Sequence, residues 1–179
     1  MKKNSLKTSA VQGRKTYVFD TSTLIILFEK CGLVTAFTEF AGKNELLVPM
    51  RVVEEFFAYD NASSNRSIFQ RTFNLIDAVL VDAFLPYFNF DSKPGELWVM
   101  SHVFNNPHYF CVIDEGFARG ICELFNLNVT GAIGILAEMK KENILQKEDL
   151  VCIKNNIKNS HFYLSKKICS ELDKICLSH

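Results

Sequence analysis

Four acidic residues stand where the side chains of an α/β protein could share a chemical task. Each follows a short apolar run or lies in an early turn of a predicted helix: Asp20, Glu55, Glu96 and Asp114. They are separated by 35, 41 and 18 residues, so only the fold can bring them together. Converging carboxylates repel one another and take up protons unless a cation is present. Oxygen ligands suit hard cations such as Mg²⁺ or Mn²⁺, with water and a substrate phosphate completing the coordination.

The strands that could position these acids are short and continuously apolar. They are 17–19 (YVF), 46–48 (LLV) and 109–113 (YFCVI), with a weaker strand and helix in 127–144. Continuous apolarity indicates cover on both faces, which is typical of parallel sheets. Because each run precedes a helical pattern, the chain predicts an α/β fold with a three-layer α/β/α, doubly wound, mainly parallel sheet. Apolar spacing also predicts a helix within 68–85.

Ligands of open parallel sheets bind outside the carboxyl ends of the strands, where Asp20 and Asp114 fall. Each acid also has an ordinary structural explanation. Either aspartate could cap the helix that follows it, and Glu96 could favour the positive end of its own helix. Glu55 could be a solvated surface residue, as its neighbour Glu54 could. The residues alone leave these explanations open, although the conjunction of acids favours a cation site.

Four motifs follow one another along nearly the whole chain from Tyr17. They are VFDTSTLIIL, the P-x-x-V-x-x-E block VPMRVVEEF, the helix start GELWVMSHVF, and VIDEGFARGICELFNLNVTGAIGILAEMKKENI. In this order they resemble the PIN domain, a nuclease fold that includes VapC-like toxins, and in particular its prokaryotic subgroup. The second motif selects Glu55 over Glu54. The AR, VTG and GILAEMKKENI elements of the last motif are its specific part.

The resemblance implies a PIN-like fold in which Asp20, Glu55, Glu96 and Asp114 are the catalytic carboxylates and bind the metal. Glu115 replaces an aspartate that commonly follows the position of Asp114, so it is a further candidate metal ligand. The implied activity is that of an Mg²⁺- or Mn²⁺-dependent endoribonuclease, which hydrolyses RNA phosphodiesters with water as the nucleophile. Many such proteins are toxins held silent by an antitoxin, and many form homodimers, so we expect these partners too.

The chain is predicted to form one domain with two appendages. Residues 1–15 form a flexible basic arm, 16–179 a single PIN-like domain, and 147–179 its C-terminal extension of two helices. Twenty Lys and Arg residues balance twenty Asp and Glu residues, so an RNA contact requires a local patch. Besides the arm, the basic residues that could form this patch are Arg51, Arg66, Arg71 and Lys93.

The six cysteines form no C-x-x-C pair and have no histidines at zinc-ligand spacing. They predict thiols in a reducing compartment, and we expect a cytoplasmic protein. No window reaches the roughly 18 apolar residues of a membrane span. Thr21, Ser22 and Thr130 could orient metal-bound water or cap the backbone. Arg119 could contact a phosphate or brace the carboxylates.

Other folds also begin with an apolar strand that ends in aspartate. A haloacid-dehalogenase-type phosphatase needs a second aspartate two positions later, where this chain has Ser22. A phospho-receiver domain needs an acidic pair near its first strand and a lysine after a late strand, and neither stands out. The stronger alternative is a PIN-fold protein that serves as a binding scaffold without catalysis. Retention of an acid at all four positions argues against it.

Overall fold

A computed structural model describes residues 13–59, 66–88, 94–159, 170 and 172–175 of the protein. In these residues five parallel strands form one sheet in the order β3-β2-β1-β4-β5. The strands are β1 (Thr16–Phe19), β2 (Glu45–Pro49), β3 (Asn74–Ile76), β4 (Phe110–Val112) and β5 (Val129–Thr130). With its helices the sheet forms the doubly wound α/β/α fold that the sequence predicts. β1 is central and buried at all four residues, which explains its unbroken apolar sequence.

Helices connect the strands throughout the described residues. They are α1 (Thr21–Leu24), α2 (Val34–Lys43), α3 (Met50–Tyr59), α4 (Arg66–Thr72), α5 (Gly95–Phe104), α6 (Gly116–Leu124), α7 (Ala132–Lys141) and α8 (Lys147–Asn159). A π-helical segment, Ile25–Lys30, continues α1, and a 3₁₀ helix spans Asp82–Tyr87. Residues 170 and 172–175 are also helical. No helix in the described part of the chain has the length and apolar character needed to cross a bilayer.

The strand order reverses between β1 and β4. The chain runs outward from β1 through β2 to β3, and then returns to add β4 and β5 on the other side of β1. The two adjacent strands at the reversal are in register, with Phe19 beside Val112. A crevice forms outside the carboxyl ends of the strands at such a reversal. Asp20 and Asp114 follow these two strands, so the topology itself brings them to the crevice.

The prediction of a helix within 68–85 is confirmed up to Thr72 and is wrong beyond it. Helix α4 ends at Thr72, and Asn74–Ile76 pairs with β2 as an additional strand. The apolar positions Phe69, Phe73 and Ile76 fit a helical period, but a three-residue strand is too short to show a period of its own. Pairing with the open edge of β2 satisfies backbone groups that a continued helix would have satisfied locally.

Aromatic rings hold the helices near the carboxyl edge of β1 in place. Phe28 in the π-helical segment contacts the rings of Phe37, Phe56, Phe69 and Phe73 at centroid distances of 5.7 to 6.2 Å. Because Phe56 belongs to α3, this cluster fixes the helix that carries Glu55. Aromatic pairs contribute about 0.5–1.5 kcal/mol beyond their buried area.

Both predicted appendages extend beyond the described residues. Positions 1–12 of the basic arm lie outside them, as do 160–169, 171 and 176–179 of the C-terminal extension. Arg14 donates from Nη2 to the carbonyl of Asn44 at 3.1 Å, and Lys15 pairs with Glu138 at 2.8 Å. These contacts lie at the amino end of β1, away from Asp20.

Candidate active site

Asp20 both extends the sheet and begins the helix that follows it. Its backbone N–H donates to the carbonyl of Val112 at 3.1 Å, which continues the β1–β4 pairing. Its carboxylate accepts from the backbone N–H of Thr23 at 2.8 Å and from the hydroxyl of Ser22 at 2.7 Å. The side chain is completely buried. The cap predicted as an alternative role is therefore present, and it fixes the carboxylate at the crevice.

Asp114 belongs to the same crevice, but it caps a different helix from the one considered in the sequence. Its two oxygens each lie 3.1 Å from the backbone nitrogen of Ala132, which begins α7. The predicted capping of α6 by Asp114 is wrong, because Glu115 accepts from the backbone N–H of Ala118 at 2.6 Å and caps that helix. The two adjacent acids therefore anchor two different helices.

Gly131 allows Asp114 to reach the start of α7. A Cβ atom at position 131 would overlap Oδ1 of Asp114 and stand 3.2 Å from its Cγ. The backbone of Gly131 is extended, so the lack of space, and not an unusual φ angle, requires glycine. This contact gives a physical reason for the VTG part of the last motif.

Glu55, and not Glu54, lies at the site. The Glu55 side chain is 25% exposed, whereas that of Glu54 is 64% exposed. Thr21 donates its hydroxyl to Oε2 of Glu55 at 2.6 Å, and Arg51 pairs with Oε1 at 3.1 Å. A Cβ at Gly95 would come within 2.8 Å of Glu55 Oε2, so the start of α5 packs directly on this carboxylate.

Glu96 follows Gly95 in the first turn of α5 and links the other acids electrostatically. Burial raises the pKa of Glu96, and the negative charges of Glu55 and Glu115 raise it further. Burial raises the pKa of Asp20 to about 7, against hydrogen bonds from Thr23 and Ser22, and the charge of Glu96 adds to the rise. Glu96 is thus close enough to Asp20, Glu55 and Glu115 for its charge to interact with each of theirs.

Asp114 is connected to the other acids by hydrogen bonds. Burial raises its pKa, while the hydrogen bonds from Ala132 and Thr23 and the nearby charge of Arg119 oppose the rise. Thr23 donates its hydroxyl to Asp114 at 3.2 Å and its backbone N–H to Asp20. Sequence reasoning considered Thr21 and Ser22 but missed Thr23, whose polar contacts depend on a strand distant in sequence.

Arg119 braces the ends of two strands. Its Nη1 donates to the carbonyl of Ile113 at 2.8 Å and to that of Thr130 at 2.9 Å. These carbonyls belong to the carboxyl ends of β4 and β5, so the guanidinium holds the two strand ends together beside Asp114. Arg119 therefore braces backbone carbonyls, and in the described residues it forms no salt bridge with the carboxylates that it was predicted to brace.

The donor set fits a hard divalent cation. All five side chains supply carboxylate oxygens, and within the described residues no Lys or Arg forms a salt bridge with Asp20, Glu96 or Asp114. Burial is the main cause of the raised pKa values of Asp20, Glu96 and Asp114, and a bound cation would favour their charged forms. As placed, however, no three His, Cys, Asp or Glu side chains in the described ranges are grouped closely enough to hold an ion. Binding would therefore require these carboxylates to turn toward a common point.

Comparison with known proteins gives one family. A family model described as PIN domain matches residues 16–175, which is nearly the whole chain. Among curated proteins, none matches the chain significantly.

Proposed function

The chain belongs to the PIN-domain family, whose members are typically nucleases, and on that premise we propose that it is an Mg²⁺- or Mn²⁺-dependent endoribonuclease. The observation that carries the proposal is the placement of acids at the reversal of strand order. Asp20 and Asp114 end the two strands at the reversal, and Glu96 at the start of α5 senses the charges of Asp20, Glu55 and Glu115. A purely structural set of helix caps would not need this excess of buried negative charge.

Asp20, Glu55, Glu96, Asp114 and Glu115 are the residues that would hold the cation. When bound, a divalent ion polarises a phosphodiester, lowers the pKa of coordinated water and neutralises charge on the leaving oxygen. The chain's own contribution would be to hold these carboxylates at one edge of the sheet, from which they could turn toward the ion. With water as the nucleophile, hydrolysis requires no serine or cysteine in the reaction.

The RNA backbone needs basic residues that reach solvent near the crevice. Arg51 is 40% exposed and pairs with both Glu54 and Glu55, so it lies beside the site. Arg66, stacked on the ring of Phe57 at 4.5 Å, and Arg71 are exposed on α4. We include these three in the proposed RNA-binding surface, while Lys93 lies outside the described residues. Binding through phosphates should weaken as salt increases.

The test is cleavage of a mixed RNA pool, total tRNA with a single-stranded oligomer, in Mn²⁺ or Mg²⁺. Asp20→Asn removes one charge with almost no change of shape, and EDTA removes the ion. Glu54→Gln is the matched control, because Glu54 neighbours Glu55 but faces solvent. Metal-dependent cutting that Asp20→Asn abolishes and Glu54→Gln retains supports the proposal. Absence of cutting by folded protein with either metal would refute it and favour the binding-scaffold alternative.

The toxin role is a separate part of the proposal, with an antitoxin and a second copy of the chain as the proposed partners. Induced expression should arrest growth of a bacterial host, and Asp20→Asn should relieve the arrest if cleavage causes it. Equal growth with both forms at equal protein levels would count against a toxin. That result would leave the nuclease proposal untouched.

A further inference from the structure

Thr23 occupies a position that joins the two strand ends of the candidate active site. It lies in α1, three residues after Asp20, and its side chain is fully buried. Its backbone N–H donates to Oδ1 of Asp20 at 2.8 Å. Its hydroxyl lies 3.2 Å from Oδ2 of Asp114 and 3.3 Å from the carbonyl of Val112. One residue therefore contacts the carboxylates that follow β1 and β4.

The two contacts depend on different parts of the residue. Any residue other than proline at position 23 could donate its backbone N–H to Asp20, since this is an ordinary helix cap. The hydrogen bond to Asp114, in contrast, requires a side chain with a hydrogen-bond donor at position 23. The hydroxyl has a single proton, which Val112 and Asp114 share as acceptors, and the ionised carboxylate is the stronger of the two. The threonine hydroxyl thus adds to the cap a link across the crevice.

The hydrogen bond from Thr23 matters because the other donor to Asp114 belongs to a different helix. Ala132 at the start of α7 donates to both of its oxygens, and Gly131 permits this close approach. Thr23 approaches Oδ2 from α1, next to Asp20. With donors on both sides, the Asp114 carboxylate is held between α1 and α7 and cannot follow either helix alone.

We propose that Thr23 is a positioning residue, which orients the Asp114 carboxylate relative to that of Asp20 so that the two can bind one cation. The inference rests on the proposed function, because it assumes that these carboxylates share an ion. Removing a hydrogen-bond partner of a metal-ligating side chain typically lowers metal affinity or activity by about 10–100-fold. Thr23→Val retains the shape and the backbone N–H but loses the hydroxyl, so its effect measures the link alone.

The matched control is Thr16→Val at the opposite end of β1. Thr16 is also buried, and its hydroxyl also donates to a carboxylate, Glu45 Oε2, at 3.0 Å. Both valine variants therefore lose a threonine–carboxylate hydrogen bond, one at the start of β1 and one in the helix that follows β1. Only Thr23 lies at the carboxyl edge with the acids.

The experiment measures Mn²⁺ affinity from the rise in unfolding midpoint as Mn²⁺ is added to metal-free protein, alongside kcat and KM for RNA cleavage. We expect Thr23→Val to raise the apparent Kd for Mn²⁺ at least about tenfold, and to lower kcat more than it raises KM. Thr23→Ser restores the hydroxyl and should return the Kd to within about threefold of the original protein. Thr16→Val should change neither quantity, even if it lowers the midpoint.

Folded Thr23→Val protein with the original Kd for Mn²⁺ would overturn the inference. If Thr23→Val does not fold, Thr23→Ser and Thr23→Ala are compared instead. Both lack the methyl group, and they differ from each other only by the hydroxyl oxygen. Equal Kd values for these two variants would also overturn the inference.

Failure of the proposed function would give a different set of results. A protein that binds Mn²⁺ in a Thr23-dependent way but cuts no RNA retains this inference and loses the ribonuclease. If the unaltered protein binds no Mn²⁺, both fall.

Discussion

Asp20→Asn should stabilise the metal-free protein at alkaline pH while abolishing its proposed activity. The Asp20 carboxylate is completely buried and no Lys or Arg forms a salt bridge with it in the described part of the chain. Asparagine has the same shape, and its carbonyl can still accept from the backbone N–H of Thr23. Its amide can donate to the Ser22 oxygen, because the hydroxyl can rotate. The substitution therefore removes a buried charge and little else.

The magnitude follows from the pKa of Asp20, which is about 7 in the folded chain and 3.8 by its ordinary value. Between these pH values the folded state holds more protons than the unfolded state, so the free energy of unfolding falls as pH rises. A difference of about 3 pKa units corresponds to a total on the order of 4 kcal/mol. About 2 kcal/mol of this loss falls between about pH 5.5 and pH 8.

The assay is urea unfolding of both proteins in EDTA at these two pH values. The difference in unfolding free energy between Asp20→Asn and the original protein should be about 2 kcal/mol larger at the higher pH. For a urea slope of about 2 kcal/mol per M, this corresponds to a change of about 1 M in the difference between their urea midpoints. Glu96 and Asp114 also titrate, but they do so in both proteins and largely cancel. Asp77→Asn is the control, since it makes the same substitution at an exposed aspartate outside the candidate site.

Divalent cation should narrow the stability difference between Asp20→Asn and the original protein. Saturating Mn²⁺ at about 100 times its Kd stabilises a folded protein by about 2.7 kcal/mol. The original protein should gain this at about pH 8, and Asp20→Asn should gain much less, because it lacks one ligand charge. Parallel pH curves for the two proteins in EDTA would refute the argument from buried charge. Equal stabilisation by Mn²⁺ would refute the assignment of Asp20 as a ligand.

Two further predictions concern the packing of Gly131 against Asp114 and the assignment of Glu55, rather than Glu54, to the site. Gly131→Ala should displace Asp114 and lower RNA cleavage by about 10–100-fold, whereas Gly120→Ala, where a Cβ meets nothing within 4 Å, should retain cleavage and raise stability by about 0.5–1 kcal/mol. Cleavage rates and urea midpoints measure both, and an active Gly131→Ala enzyme would contradict the packing argument. Glu55→Gln should weaken Mn²⁺ stabilisation and cleavage together, while Glu54→Gln should change neither; equal effects of the two would disprove the assignment from exposure.

Local signals in the sequence predicted the parts of the site that neighbouring residues determine. Asp20 follows a continuously apolar strand, and the GELWVMSHVF motif begins a helix at Gly95, where α5 indeed starts. Strand–helix alternation predicted the doubly wound sheet, whereas Glu55 was distinguished from Glu54 only by the resemblance to PIN domains. The individual strands and helices depend on residues close together in the chain, so hydrophobic periodicity can reveal them.

Contacts between distant segments decided the rest. β3 exists because Asn74–Ile76 pairs with the edge of β2, which no local pattern reveals. Asp114 caps α7, and not the helix that follows it, because Gly131 lets the start of α7 approach. Thr23 meets Asp114 across 91 residues of sequence because β1 and β4 are neighbours in the sheet. The sequence alone predicted the candidate acids and the elements that carry them, since hydrophobic patterns within short segments reveal strands and helices. Only the tertiary structure decided which donor each acid meets, because parallel pairing and close packing join residues that the chain keeps far apart.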